Sequence, residues 1–360
     1  MSGDTTHTLP KVLCIVGARP QFVKLAPLAQ VLMQHCQLII AHTGQHYDPK
    51  LSALLFDELE IPKPDYQLGI GSGSHGVQTG RMLEALEGVM MQEKPHAVVV
   101  FGDTNSTLAG SLAAAKLGIR SLHVEAGLRS WNRSMPEEIN RVVSDHTCNV
   151  LLAPTQTAMR NLAAEGLAER SVLTGDIMVD ALEDNARRAL DRPSVCQALG
   201  INGPFWLLTL HRPYNVDDPA RLQAILEGLD TLGRQFVFPV HPRTLAVLQG
   251  MNRSALKHVT LVDPQGYLEF LQLEHAAEGI MTDSGGVQKE AYLMERPCVT
   301  LRTETEWLET VEAGWNCLVP PLTPGWLERV RNFSPATSHP ALFGSRVAES
   351  MRQVILDASR

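Results

Sequence analysis

The chain has 360 residues, too many for one ordinary core, so two domains are expected. Its hydrophobic content of 44% and charged content of 19% are those of a soluble globular protein. A formal net charge of −8 with no long basic run argues against a nucleic-acid partner, and no stretch reaches the ~18 apolar residues of a membrane span.

The elements follow a repeated scheme along the chain. KVLCIVG (11–17) is a short apolar run followed by a helix-like PQFVKLAPLAQVLMQ. LIIAHTG (38–44) comes next, and AVVVFG (97–102) leads into NSTLAGSLAAAKLG. RSLHVEAG (120–127) and NVLLAP (149–154) complete the first half. The second half repeats the pattern with FWLLTLH, QFVFPVH, HVTLVDP, GIMTDSGG, PCVTLR and NCLVPP. Strands without internal alternation, separated by helices, imply parallel sheets buried on both faces. The stretch 183–204 carries Pro and Gly breaks and no strand, which suggests a linker between two doubly wound domains. The expected division is a first domain at 1–185 and a second at 186–345. A last helix at 346–360, with apolar Val347, Met351, Val354 and Ile355, is expected to pack back on the first domain.

Six cysteines are scattered without a CxxC pair, a reduced pattern rather than a disulfide frame or zinc site. The opening MSGDTTHTLPK has no apolar signal core, and a cytoplasmic protein is expected. HExxH, GxSxG and GxxxxGK[ST] are absent, which weakens metalloenzyme, serine-hydrolase and P-loop readings.

In sheets of this kind ligands bind in the loops after the strands. Those loops hold the unusual polar residues: GARPQFVK (17–24), HTGQHYD (42–48), GDTNST (102–107), HVEAGLRS (123–130), LHRPYN (210–215) and PVHPRT (239–244). MPEEINR (135–141) opens a helix. Each has a structural alternative. Asp103 can cap a helix beginning near Thr104, and Ser134-x-x-Glu137 has capping-box spacing. Glu125 ends an apolar strand before a small Ala-Gly turn, a poor place for a carboxylate without a purpose. His211 and His241 stand at equivalent strand ends, each followed closely by Arg.

TDSGGVQKEA (282–291) is the most informative stretch. Ser284 or Asp283 can cap a new helix, while Gly285 and Gly286 allow a ligand close to the backbone. Free N–H groups and the helix dipole favour an anion there, and Glu290 can accept hydrogen bonds from sugar hydroxyls. The combination reads as a nucleotide-diphosphate site.

Taken in order and spacing, GARPQFVK, TGQH, GDTNST, HVEAGLRS, MPEEINR, LHR, HPRT and DSGGVQKEA resemble the non-hydrolysing UDP-N-acetylglucosamine 2-epimerases from about Lys11 to Val319. The resemblance implies a fold like that of the GT-B glycosyltransferases, with two Rossmann-like domains and the active site in the cleft between them. It implies inversion at C2 of a UDP-linked 2-acetamido sugar, through loss of UDP and the C2 proton and readdition to a 2-acetamidoglycal. Neither a metal nor another cofactor is expected, and a homodimer is. Carried over by motif, Asp103, Glu125 and Glu137 are the acid/base and sugar-positioning carboxylates, with His211 and Lys24 as further catalytic residues. Arg19, Gln45, His241 and the Ser284–Gly286 turn are UDP-binding positions, Glu290 meets the ribose and Phe270 the uracil.

Three departures stand out. The family's GTRPE is GARPQ, its HRREN is HRPYN with Tyr214, and its TERPE is TEWLE at 305–309. TGQH continues as Tyr47-Asp48, where regulated members carry Arg-Gln, so kinetics without UDP-GlcNAc activation are expected. GARPQF, VQKEA and TEW look more like the subgroup acting on UDP-2,3-diacetamido-glucuronate, an O-antigen precursor. Both that uronate and UDP-GlcNAc stand as substrates. A hydrolysing epimerase and a GT-B glycosyltransferase are the rival activities.

Overall fold

The computed structural model describes residues 9–45, 56, 59–240, 242–248 and 256–360. The chain divides into two compact units, one of Met1–Ala181 with Phe343–Arg360 and one of Leu182–Leu342. The expected boundary at 185 and linker at 183–204 fall where the chain runs as helices Met178–Leu190 and Val195–Ala198.

Among the described residues the first unit holds seven strands: β1 (Lys11–Val16), β2 (Gln37–His42), β3 (Tyr66–Gln67), β4 (Ala97–Phe101), β5 (Arg120–Val124), β6 (Val150–Ala153) and β7 (Ser171–Leu173). Their order is β3-β2-β1-β4-β5-β6-β7, and every pairing is parallel. The central strands read as unbroken apolar runs because helices cover both faces; all five residues of β4 are buried. Each such Val or Leu contributes roughly 1.5–3 kcal/mol when taken fully from water. Helix Asn105–Lys116 lies close to this sheet at Gly110, where an added Cβ would come within 2.8 Å of Ile15 and 2.9 Å of Val100. Helix Val347–Ala358 packs against helix Arg19–Leu32. Its start is capped by Asp180, which accepts from Val347 N (3.1 Å) and Ala348 N (2.6 Å).

The second unit repeats the scheme with β8 (Trp206–Thr209), β9 (Phe236–Pro239), β10 (Val259–Val262), β11 (Gly279–Thr282), β12 (Cys298–Thr300) and β13 (Asn316–Leu318). The order is β10-β9-β8-β11-β12-β13, again all parallel. Leu208, Phe236, Phe238, Met281 and Val299 form the core on one face, while Leu207, Val237, Ile280 and Cys298 form that on the other. The short strands β3 and β7 were not expected from the sequence, since two or three residues carry no readable period. Among the described residues no helix is long and apolar enough to cross a membrane.

Candidate active site

In each unit the strand order reverses once, between β1 and β4 in the first and between β8 and β11 in the second. Loops at the carboxyl ends of strands flanking such a reversal are where doubly wound sheets bind ligands. In the first unit they carry Gly17-Ala18-Arg19 and Gly102-Asp103; in the second, His211-Arg212 and Asp283-Ser284.

Glu125 follows β5 directly, is buried, and has a backbone φ of 72°. A non-glycine residue in that region costs on the order of 1 kcal/mol or more, so surrounding structure must hold it there. Its carboxylate pairs with the ammonium of Lys24, itself buried in helix Arg19–Leu32. Both groups crowd Gly102, where an added Cβ would lie 3.3 Å from Lys24 Nζ and 3.4 Å from Glu125 Oε2. Gly102 also turns at φ 64°, so two constraints favour glycine there.

Asp103 does not cap the following helix. Thr104 is the N-cap of Asn105–Lys116, accepting from Thr107 N, and the Asp103 carboxylate turns instead to Arg141 Nη2 at 2.6 Å. Burial pushes the Asp103 carboxyl up, but Arg141, Lys24 and His123 together hold it below the usual carboxylate range. Its main-chain carbonyl accepts from Asn140 Nδ2 at 2.9 Å. Asn140 and Arg141 lie one turn into helix Pro136–Thr147, so the MPEEINR segment braces the GDTNST turn.

The capping-box alternative for Glu137 is corrected. Met135 is the N-cap with no side-chain cap, and Ser134 Oγ donates to Asn132 Oδ1 at 2.6 Å. Glu137 sits half-buried in the first helical turn, suited to the dipole. Its neighbour Glu138 is the buried one, accepting from Ser130 N (2.9 Å), Trp131 N (3.0 Å) and Arg141 Nη1 (2.9 Å).

The Gln21 departure has a structural reason. Gln21 Oε1 accepts from Gly17 N (2.7 Å) and Ala18 N (3.1 Å), while its Nε2 donates to Phe101 O (2.8 Å) and Thr107 Oγ1 (3.1 Å). An ionised glutamate could make the first two bonds and neither of the others. Arg19 is exposed at the start of its helix. Gln45 is buried, and its Oε1 accepts from Ser106 N (3.0 Å) and Ser106 Oγ (2.8 Å), so this side chain holds the helix after β4. Tyr47, Asp48 and His241 lie outside the described residues.

In the second unit Ser284 is the N-cap of helix Gly285–Leu293, and its side chain accepts from Val287 N. Neither glycine has a positive φ, so their value lies in the space they leave. Among the described residues a Cβ at Gly286 would meet only Ser284 Oγ, at 3.9 Å, and one at Gly285 would lie 3.5 Å from Glu306 Oε2. Glu306 pairs with the fully buried Arg302 at 3.0 Å, which puts a fixed ion pair beside the helix start. Asp283 is fully buried and accepts from His211 N (3.1 Å), Arg212 N (3.0 Å) and Asn215 Nδ2 (3.1 Å). His211 Nδ1 approaches the same carboxylate at 3.0 Å, which orients the ring and leaves Nε2 on its far side. Burial raises the Asp283 carboxyl, and the hydrogen bond and charge of His211, with Asn215 and Arg212, hold it below the usual range.

Glu290 is buried on the same helix, beside the fully buried Glu274. Burial, then the Glu290 carboxylate, pushes the Glu274 carboxyl well up. Phe270 is half-buried and packs on the cluster of Leu273, Ile280 and Val287.

Residues 31–341 match the family model described as UDP-N-acetylglucosamine 2-epimerase. The chain belongs to that family. A Methanococcus maripaludis protein named UDP-N-acetylglucosamine 2-epimerase homolog is 48% identical over 334 residues, covering 91% of this chain and 93% of that protein. A UDP-2,3-diacetamido-2,3-dideoxy-D-glucuronate 2-epimerase from Pseudomonas aeruginosa is 48% identical over 318 residues, covering 86% of this chain and 88% of that protein. The crystal structure of Methanocaldococcus jannaschii UDP-GlcNAc 2-epimerase in complex with UDP-GlcNAc and UDP superimposes with a TM-score of 0.85 at 42% identity, covering 96% and 99% of the two chains. The two parallel α/β sheets are thus those of a GT-B-like 2-epimerase fold.

Several members of the site were missed in the sequence. Glu138, Arg141 and His123 lay inside quoted motifs but gave no sign that they would be buried. Asp283 read only as a cap, and Glu274 and Arg302 had no motif of their own.

Proposed function

We propose that this family member inverts C2 of a UDP-linked 2-acetamido sugar without hydrolysing it. The observation that carries the reading is the pair of strand-end turns in the first unit. They offer two carboxylates, Glu125 on Lys24 and Asp103 on Arg141, each with a cation that favours the ionised form. The C2 hydrogen of such a sugar is only weakly acidic. Its removal therefore accompanies loss of UDP from C1: the C2–H electrons form the C1–C2 double bond as the C1–O bond breaks. UDP then adds back to the 2-acetamidoglycal while a proton reaches the opposite face of C2. Asp103, Glu125 and Glu137 supply the base, the acid and sugar positioning, and Lys24 keeps its carboxylate partner charged. His211, oriented by Asp283, stands at the leaving diphosphate. Arg19, Gln45, His241 and the Ser284–Gly286 helix start bind UDP, with Glu290 at the ribose and Phe270 at the uracil.

Two substrates fit the relatives about equally, UDP-GlcNAc and UDP-2,3-diacetamido-2,3-dideoxy-D-glucuronate. The second would place the enzyme in O-antigen supply. A cytoplasmic homodimer fits the family and the six unpaired cysteines. Incubation with each UDP-sugar, followed by proton NMR and chromatography, tests the proposal. An epimeric UDP-sugar from one of them is expected, whereas free 2-acetamido sugar would favour the hydrolysing activity.

A further inference from the structure

His123 is the fourth residue of β5 and is fully buried, as is Asp145 on helix Pro136–Thr147. The two side chains are 2.7 Å apart at Nδ1 and Oδ1, and His123 Nε2 lies 2.6 Å from the carbonyl oxygen of Gly102. The other Asp145 oxygen pairs with Arg129 Nη1 at 2.7 Å and accepts from Gly127 N at 3.1 Å. Arg129 continues to Glu165 through Nε and Nη2, at 2.7 and 2.8 Å. A carbonyl oxygen only accepts, and a carboxylate holding a guanidinium and an amide N–H is ionised and accepts as well. Burial raises the Asp145 carboxyl, but His123 and Arg129 bring it below the usual range. Both hydrogens of these two bonds therefore come from the imidazole, which is a buried cation.

What this cation touches is more informative than its burial. Gly102, at φ 64°, immediately precedes Asp103. Its N–H donates to Val124 O at 3.0 Å and its carbonyl accepts from His123, so β5 grips both backbone polar groups of Gly102. Gly127, at φ 83°, closes the turn that begins with Glu125 at φ 72°, and its N–H is held by Asp145. One buried ion pair thus fastens the turn carrying Asp103 and the turn carrying Glu125. We infer that the His123–Asp145 couple is the positioning device of the reaction centre, setting the separation of the two carboxylates without touching substrate. The inference rests on the epimerase reading for what the carboxylates do.

The test uses the full chain as His123→Gln and Asp145→Asn, with wild type selectively 15N-labelled at histidine. Gln keeps one donor for Gly102 O and no charge; Asn keeps the ring and removes its counter-ion. In either folded variant kcat should fall at least about 10-fold, since small misplacements of reacting groups cost up to ~10²-fold. KM and UDP affinity should stay within about 3-fold, because a lost alignment acts on the reacting step rather than on ground-state binding. The wild-type ring signal that is lost in His123→Gln, or displaced in Asp145→Asn, should show two protonated nitrogens near neutral pH. Turnover within about 3-fold of wild type in a folded variant overturns the inference. So does a ring with one unprotonated nitrogen, and failure of both variants to fold assigns the couple to holding the fold instead. A wild type that binds UDP yet epimerises neither sugar refutes the epimerase reading alone, while the ring spectrum still decides whether the couple is charged.

Discussion

Asp283→Asn is a sharp perturbation because every bond its carboxylate makes is as an acceptor. Its carboxylate takes His211 N at 3.1 Å, Arg212 N at 3.0 Å, Asn215 Nδ2 at 3.1 Å and His211 Nδ1 at 3.0 Å. An asparagine must aim its NH2 at donors on one side, so about two of these bonds become donor against donor. Hydrogen bonds to charged groups are worth ~1.5–3 kcal/mol each, so losing about two of them is expected to cost about 3–5 kcal/mol. For a unit of this size each kcal/mol shifts the midpoint by ~2–4 °C, giving a fall of roughly 6–20 °C. Thermal unfolding followed by tryptophan fluorescence is suited to the question, because four of the five tryptophans (206, 307, 315 and 326) lie between residues 182 and 342. The sign with pH is fixed as well. The carboxyl is depressed in the folded state, so its stabilisation is present above the usual Asp value near ~3.9 and is lost as pH falls through the folded value. The gap between wild type and variant should narrow in acid. A fall below ~2 °C at neutral pH, or a gap that widens in acid, refutes the reasoning.

Asp103→Asn and Glu125→Gln should each lower turnover by about 10²-fold or more with UDP affinity little changed, read by steady-state kinetics and calorimetry. Near-wild-type rates would remove these carboxylates from the reaction. Gln21→Glu should cost about 1–3 kcal/mol at neutral pH, because its amide donors to Phe101 O and Thr107 Oγ1 vanish; chemical denaturation checks this. Glu274→Gln removes a carboxyl that is raised in the folded state, whose contribution is present in acid and lost as pH rises from the usual Glu value toward the folded one. The variant should therefore gain thermal stability relative to wild type as pH rises, and a constant difference across pH would contradict the assignment.

Most strands and the polar turns after them were legible because buried parallel strands are unbroken apolar runs, and polar residues after them stand out. KVLCIV, AVVVF and GIMT became β1, β4 and β11, each followed by one of the turns that carry the candidate site. Partners were not legible. Nothing in Pro136-Glu-Glu-Ile says that Glu138 goes inside, and the Ser134–Glu137 spacing pointed to a cap that the proline-started helix does not use. The Asp103–Arg141 and His123–Asp145 pairs join residues 38 and 22 positions apart, held together only by the folded sheet. Gln21 looked like a departure from a motif until its four hydrogen bonds showed what an amide does there.

The central claim is that C2 is deprotonated and reprotonated while UDP departs and returns. The direct measurement is proton and deuterium NMR of the UDP-sugar formed in D2O from each of the two substrates. Epimerisation through the glycal requires deuterium at C2 of the inverted product, entering at the rate of inversion. Inverted product that retains protium at C2 would contradict the account, whatever else the variants show.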